Sequence, residues 1–289
     1  MKKFIVLTIC TILLFALASC SLINNGNGET EGANFPVEIN EDYTLYEAPQ
    51  RVISLSPSLT EIIFALGSYA QLAAVSDNCN HPAQALELPR VGTALSLDVD
   101  AIVALNPDLI LTSTPVFGLT RDRLVLRNIP IVVLPSADSL DELHELYAKI
   151  ATMLSGNNAG PLNAENTLEN MFAEMERLTS SVNYTAVLMP NLNFMPNSSA
   201  LLNLLVEKAG FNLPEVEESD DPAWQVLLEM NPDFVFASAL VAAEIMNTPA
   251  FATLGAAIYE RIIVIDADLF ERQGARLIEL VERMNNTAG

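Results

Sequence analysis

The chain has 289 residues, 51% of them hydrophobic, which is enough for two modest domains or one large one. Its 36 acidic against 14 basic side chains give a formal charge of −22, which argues against nucleic acid and anionic lipid as electrostatic partners. With Cys10 in a segment removed on export and Cys20 acylated, as read below, Cys79 is left alone, so stability must come from a core rather than from disulfides, and two histidines cannot assemble a three-histidine metal trap.

The N-terminus reads as an export signal. Lys2 and Lys3 precede an apolar run, Phe4 to Leu17, too short for a membrane span, and the run ends in Leu17-Ala18-Ser19-Cys20. That ending resembles the bacterial lipobox, so residues 1–19 are expected to be a lipoprotein signal peptide and Cys20 the acylated first residue of the mature protein. The Asn-, Gly- and Glu-rich stretch that follows makes residues 20–36 a flexible tether. No later stretch is apolar for long enough to cross a bilayer, so the body is expected outside the cytoplasm, lipid-anchored to the cell membrane, in a periplasm or on the outer face.

Along the body, strand and helix signals alternate. "RVISLS" (51–56) is a β-rich run, and Ser58-Leu59-Thr60-Glu61 reads as a capping box with Ser58 as N-cap, the helix stopping at Gly67. "LAAVS" (72–76) is a strand. A helix capped by Ser96 or Asp98 runs to Leu105, is halted by Pro107, and gives way to a strand at 109–112. A helix over 119–128 and the β-branched "IPIVVLP" (129–135) follow, then a second capping box, Ser139 to Glu142, starting a helix that ends near Gly156. From about Ala164 to Ser181, Leu168, Met171, Phe172, Met175 and Leu178 fall at helical period with no strand before them. This helix reads as a spacer between lobes.

The alternation then restarts: strand 185–189, helix 198–209 ended by Gly210, helix 222–230 with Asp221 as N-cap and Pro222 at its first position, and strand 233–237. A helix near 249–254, strand 261–266 and a last helix over 275–286 complete it, and the acidic run 215–221 reads as a solvated loop. "NPDLILTS" (106–113) and "NPDFVFAS" (231–238) repeat one helix-to-strand junction, one in each half. The organisation predicted is an N-terminal α/β lobe at 37–160, a connecting helix at 161–183 and a C-terminal α/β lobe at 184–289. Ligands of such sheets bind beyond the carboxyl ends of the strands, and two facing lobes would make a cleft there.

Catalytic signatures are thin: there is no GxGxxG, no GxxxxGK[ST] and no GxSxG. His144 belongs to a solvated helix face. An exported hydrolase using Ser56 or Ser58 with His81 is the alternative the residues leave open, as is a surface lipoprotein used as a scaffold or adhesin. The polar groups that stand out are Ser56-Pro57-Ser58 at a helix start and His81 in the loop "DNCNHPAQ" (77–84). Beyond them come Phe117 after the strand at 109–112, Phe194, Phe270 and Arg272. The sole tryptophan, Trp224, is either core or ligand surface.

"APQRVISLSPSLTEIIFALG", "SDNCNHPAQALELPRVG", "DAIVALNPDLILT" and "RIIVIDADLFERQGAR", in this order, resemble the cobalamin and iron-chelate substrate-binding proteins of bacterial ABC importers. The likeness is strongest over roughly 48–112 and 222–278 and is closest in style to the cobalamin-binding members. It implies an α/β fold of two Rossmann-like lobes joined by a single long helix, a ligand cleft between them, and a monomer that captures a corrinoid or an iron chelate (siderophore, haem) and makes no bond. It implies no cofactor, no metal of the protein's own and no catalytic residue. It also matches Asp100 and Glu271 to the acidic residues, one per lobe, that such proteins present to a permease. Two positions where the cobalamin group carries aromatic side chains are Ala94 and Leu269 here.

Overall fold

Short β-branched and apolar runs, each bounded by a helix stop and a helix cap, fold into two parallel sheets. The computed structural model describes residues 34–40, 43–215 and 220–288, and Phe35–Gly289 forms one compact body. The signal segment 1–19, Cys20 and most of the tether lie outside the described residues, as do positions 216–219 of the acidic run.

A hairpin of β1 (Val37–Asn40) and β2 (Tyr43–Leu45) leads in. The N-terminal lobe holds β3 (Val52–Ser54), β4 (Leu72–Val75), a small hairpin of β5 (Gly92–Thr93) and β6 (Ser96–Leu97), β7 (Leu109–Thr112) and β8 (Ile131–Val133). Its parallel sheet has the order β4-β3-β7-β8, with Ile53 opposite Ile110 and Ile110 opposite Ile131. Helices α1 (Pro57–Ala65), α2 (Val99–Ala104) and α3 (Gly118–Val125) belong to this lobe. One sheet face buries Ile53, Ala74 and Ile110 with Val99, Ile102 and Leu124. The other buries Val52, Leu109 and Leu111 against Leu59, Ile62 and Ile63.

Helix α4 (Leu140–Leu178) connects the lobes and is interrupted once, at Gly156, whose φ of 89° and ψ of 174° suit glycine and break the axis. The predicted stop near Gly156 is therefore real, but the chain resumes its helix at once instead of at about Ala164, and it ends at Leu178. The C-terminal lobe follows: β9 (Ala186–Met189), α5 (Ala200–Lys208), α6 (Ala223–Met230), β10 (Phe234–Ala237), α7 (Ala239–Asn247), α8 (Gly255–Ile258), β11 (Ile262–Val264), α9 (Ala267–Glu271) and α10 (Arg276–Asn286). Its sheet has the order β11-β10-β9. Ala186, Leu188, Phe234 and Phe236 pack toward α4, α5 and α10, in one continuous core with the α1 face of the first sheet. Val187, Met189, Val235 and Ala237 face the α6–α7 side.

The repeated junction has one structural purpose in both lobes. Asn106 and Asn231 adopt positive φ (47° and 42°) and end their helices, and the proline that follows prevents resumption. The aspartate then turns back to the neighbouring strand. Asp108 accepts the N–H groups of Gln50 at 2.6 Å and Arg51 at 3.0 Å, just ahead of β3. Asp233 accepts Thr185 N–H at 2.8 Å, just ahead of β9.

Three local expectations change. Ser56, not Ser58, is the N-cap of α1, with Pro57 at the first position, because Ser58 and Glu61 are drawn into contacts with the other lobe. Helix α6 starts at Ala223, with Pro222 as N-cap in place of Asp221. The C-terminal lobe places a helix at Ala239–Asn247, where no sequence signal was read, and only a single tight turn at Pro249–Phe251. Of the second capping box the Ser139 half forms, Ser139 Oγ accepting Glu142 N–H at 3.2 Å, while the Glu142 carboxylate accepts the N–H of Asp138, one residue before the N-cap, at 2.7 Å.

Candidate functional site

The carboxyl ends of the two sheets meet at a cleft of about 830 Å³. Every parallel strand except β10 sends a segment to its wall: Ser56–Ser58 after β3, Asp77, Asn78 and Asn80 after β4, Ser113 after β7, Ser136–Asp138 after β8, Pro190, Asn191 and Phe194 after β9, and Asp268 with Phe270–Gln273 after β11. Helix α5 adds Leu201, Leu202 and Leu205. The wall therefore combines amide, hydroxyl and carboxylate groups with an apolar surface of proline, phenylalanine and leucine. The Ser56 side chain makes no capping hydrogen bond to the first turn of α1, whose N-terminus opens here.

Behind the wall the lobes are locked by the segment 272–276. Gln273 N–H donates to Ser58 Oγ at 3.1 Å, and the Gln273 carbonyl accepts from the buried Tyr147 hydroxyl at 2.8 Å. Gly274 lies so close to α1 that a Cβ there would stand 2.5 Å from the Glu61 Cβ. The Glu61 carboxylate, 2% exposed, has Arg272 and Arg276 each at 3.6 Å and no hydrogen bond among the described residues. Burial pushes its carboxyl up to about 7, outweighing the two guanidiniums that oppose it, with Asp268 and Glu279 adding to the rise. Arg272 is in turn held by Asp268 at 2.8 Å, and Asn80 Nδ2 donates to the same carboxylate across the lobes at 2.9 Å. Burial works to raise the Asp268 carboxyl, but those hydrogen bonds and the charges of Arg272 and Arg276 bring it below its usual value.

Of the residues singled out from sequence, Ser56, Pro57, Ser58, Phe194, Phe270 and Arg272 line the cleft together. Arg272 does so with its charge already engaged by Asp268 and Glu61. His81, Phe117 and Trp224 are not on this wall. His81 is partly buried near the arginine cluster, where burial and the charge of Arg276 hold its imidazole below the usual value. Phe117, 75% exposed, borders a shallow hollow with Arg121 and Val133, and Trp224, 47% exposed, stands on the first turn of α6. No hydrogen bond among the described residues joins His81 to Ser56 or Ser58. Ala94 is exposed at the tip between β5 and β6, and Leu269 is fully buried in the core.

Glu271 is exposed at the margin of the cleft. Asp100 is exposed in the first turn of α2, where it pairs with Arg123 of α3. The polar wall residues that sequence reading passed over include Ser113, Ser136, Asp138, Asn191 and Gln273. Their available signal was position: each lies a few residues beyond the end of a predicted strand.

Two α/β lobes, a helix between them and an open cleft at the strand ends define a solute-binding protein. The periplasmic binding protein family model matches residues 52–269, and the chain belongs to that family. The ABC transporter substrate-binding lipoprotein YvrC of Bacillus subtilis (strain 168), itself uncharacterized, is 25% identical over 276 residues, 86% of this chain and 84% of that protein. The vitamin B12-binding protein of Pectobacterium carotovorum subsp. carotovorum (strain PC1) is 36% identical over 136 residues, 46% of this chain and 47% of its own. The crystal structure of a possible iron-binding (periplasmic solute-binding) protein from Staphylococcus epidermidis ATCC 12228 shares the fold, with a TM-score of 0.67 over 83% of this chain and 98% of that one at 18% identity. The protein is thus a substrate-binding component of an ABC importer, extracytoplasmic, serving delivery of a solute to a permease and not catalysis.

Proposed function

We propose that the protein captures a corrinoid of the cobalamin type in the interlobe cleft and hands it to its permease while tethered to the membrane through lipidated Cys20. The observation that carries the reading is the composition of the wall: apolar Pro57, Phe194, Phe270 and the α5 leucines beside Ser56, Ser58, Asn78, Asn80, Ser113 and Asn191. A broad ligand with a flat apolar face and an amide-bearing edge matches both halves. The local likeness to a vitamin B12-binding protein supports it. Among the described residues on the wall there is no His, Tyr, Met or Cys, the side chains that hold haem iron axially, so a corrinoid fits better than haem within the iron-chelate alternative.

Asp100 and Glu271 are the two carboxylates proposed to meet basic side chains of the permease, one from each lobe. Both are exposed, as docking requires. The segment 272–276, which wedges the lobes together, supports a body that works as a monomer with little closure.

The test is calorimetric titration of the mature body lacking Cys20 with cyanocobalamin, hemin and a ferric hydroxamate siderophore. Saturable one-to-one binding of cyanocobalamin at micromolar concentration or below, with hemin and the siderophore weaker by tenfold or more, is the expected result. Preferential binding of hemin or the siderophore would replace the corrinoid with that chelate, and binding of none would remove the ligand class. Because Trp224 stands off the wall, its fluorescence is expected to change little on saturation.

A further inference from the structure

We infer that the cleft sorts ligands by the charge at their edge, through Asp77 and Asp138, taking corrinoids whose side chains end in amides and rejecting those that end in carboxylates. The inference rests on the corrinoid reading above and adds which corrinoids the site accepts.

Among the described residues, four carboxylates line the cleft, Asp77, Asp138, Asp268 and Glu271, against a single cation, Arg272. That cation is not available to a ligand anion. Its Nη2 lies 2.8 Å from Asp268 and its Nε 3.6 Å from the buried Glu61, and the side chain is almost fully covered. Asp77 and Asp138 are exposed, and neither has an ion-pair partner among the described residues. Both stand on loops of the N-terminal lobe. The Asp138 loop is fixed in place, because its carbonyl accepts Leu201 N–H from α5 at 2.8 Å and its own N–H donates to Glu142 at 2.7 Å.

A carboxylate is an acceptor only. Facing a ligand amide it gains a charge-assisted hydrogen bond. Facing a ligand carboxylate it gains nothing, and two anions then share a partly desolvated wall with no free cation to neutralise them. The neutral wall groups, Asn78, Ser113 and Asn191 among them, serve either ligand and do not discriminate. An anionic ligand is also repelled by the whole chain, whose formal charge is −22. The local and the global effect separate by substitution: Asp77→Asn with Asp138→Asn removes two of those charges and both unpaired carboxylates named here.

The experiment is calorimetry of the mature body with cyanocobalamin and with its monocarboxylic derivative, in which one peripheral amide is hydrolysed. It is run at about 20 mM salt and at about 1 M, where screening acts within about 3 Å. The wild-type protein is expected to bind the monoacid about tenfold more weakly than the parent, about 1.4 kcal/mol, at low salt. The difference is expected to shrink at high salt, and the double variant is expected to recover most of it at low salt. Equal affinities, or tighter binding of the monoacid, would overturn the inference and leave the corrinoid reading in place. An undiminished penalty in the double variant would assign the effect to the chain's overall charge and overturn the role of Asp77 and Asp138. Failure of the wild type to bind either compound would defeat the corrinoid reading and this inference with it.

Discussion

The Gln273 side chain and the Ala137 backbone make a closed pair of hydrogen bonds across the lobes: Ala137 N–H donates to Gln273 Oε1 at 2.9 Å, and Gln273 Nε2 donates to the Ala137 carbonyl at 2.6 Å. The amide does here what a neighbouring strand would do, and both residues are buried. Gln273→Ala leaves both Ala137 groups unpartnered. We expect a loss of about 2–4 kcal/mol in urea unfolding, from two hydrogen bonds and the desolvation penalty of the groups they served. A loss below about 1 kcal/mol would show that water or the rest of the segment replaces the pair.

Gly274 tests how tightly the lobes meet. Its missing side chain leaves room for α1, since a Cβ would stand 2.5 Å from the Glu61 Cβ and 3.0 Å from the Glu61 carbonyl carbon. Gly274→Ala is expected to destabilise by about 1–3 kcal/mol through overpacking. An unchanged unfolding midpoint would mean the interface relaxes freely.

Glu61 makes stability depend on pH in a direction opposite to most carboxylates. Its carboxyl is raised from 4.5 to about 7 in the fold, so between those values the folded state holds a proton that the unfolded chain has lost. The stabilisation from this proton is full below about 4.5 and is lost as pH rises through about 7. It amounts to at most about 3 kcal/mol at 1.36 kcal/mol per unit. Comparing wild type with Glu61→Gln across pH 4.5 to 7.5 isolates it. The variant's stability is expected to fall less with rising pH, and parallel curves would refute the assignment.

The two aspartates of the repeated junction are expected to behave alike. Asp108→Ala frees the N–H groups of Gln50 and Arg51, and Asp233→Ala frees Thr185 N–H and its hydroxyl partner. Each is a charge-assisted bond to a strand entrance, so each variant should lose about 1.5–3 kcal/mol. Hydrogen exchange should rise first at the start of β3 in one and of β9 in the other. Exchange rising elsewhere instead would count against the shared role.

Asp100 lies away from the cleft wall, so Asp100→Ala is expected to leave ligand affinity unchanged while slowing uptake in a reconstituted importer. A drop in ligand affinity of the same size as any drop in uptake would place its effect in binding rather than docking. The Arg123 pair is exposed and should cost under about 1 kcal/mol to lose.

The alternation of strands and helices, the doubled Asn-Pro-Asp junction and the spacer helix were all readable from local signals, because β-branched runs, caps and stops act within a few residues of themselves. Those signals fixed two α/β lobes and the region where a ligand must sit, beyond the strand ends. Of the side chains singled out from the sequence, Ser56 to Ser58, Phe194, Phe270 and Arg272 stand on that wall, and His81, Phe117 and Trp224 do not. What local signals could not decide is which partner each side chain finds across the lobes. Ser58-Leu59-Thr60-Glu61 satisfies the rule for a capping box, yet Ser58 Oγ accepts from Gln273, and Glu61 is buried beside two arginines brought from more than two hundred residues away. Arg272 is held both by Asp268, four residues before it, and by Glu61, which no sequence neighbourhood reveals. His81 sits in a polar loop and Trp224 on a helix start just after one, but only the packing of the lobes sets which of these segments face the cleft. Local periodicity is a property of the chain; the pairing of buried charges is a property of two surfaces meeting, and it exists only once the fold has brought them together.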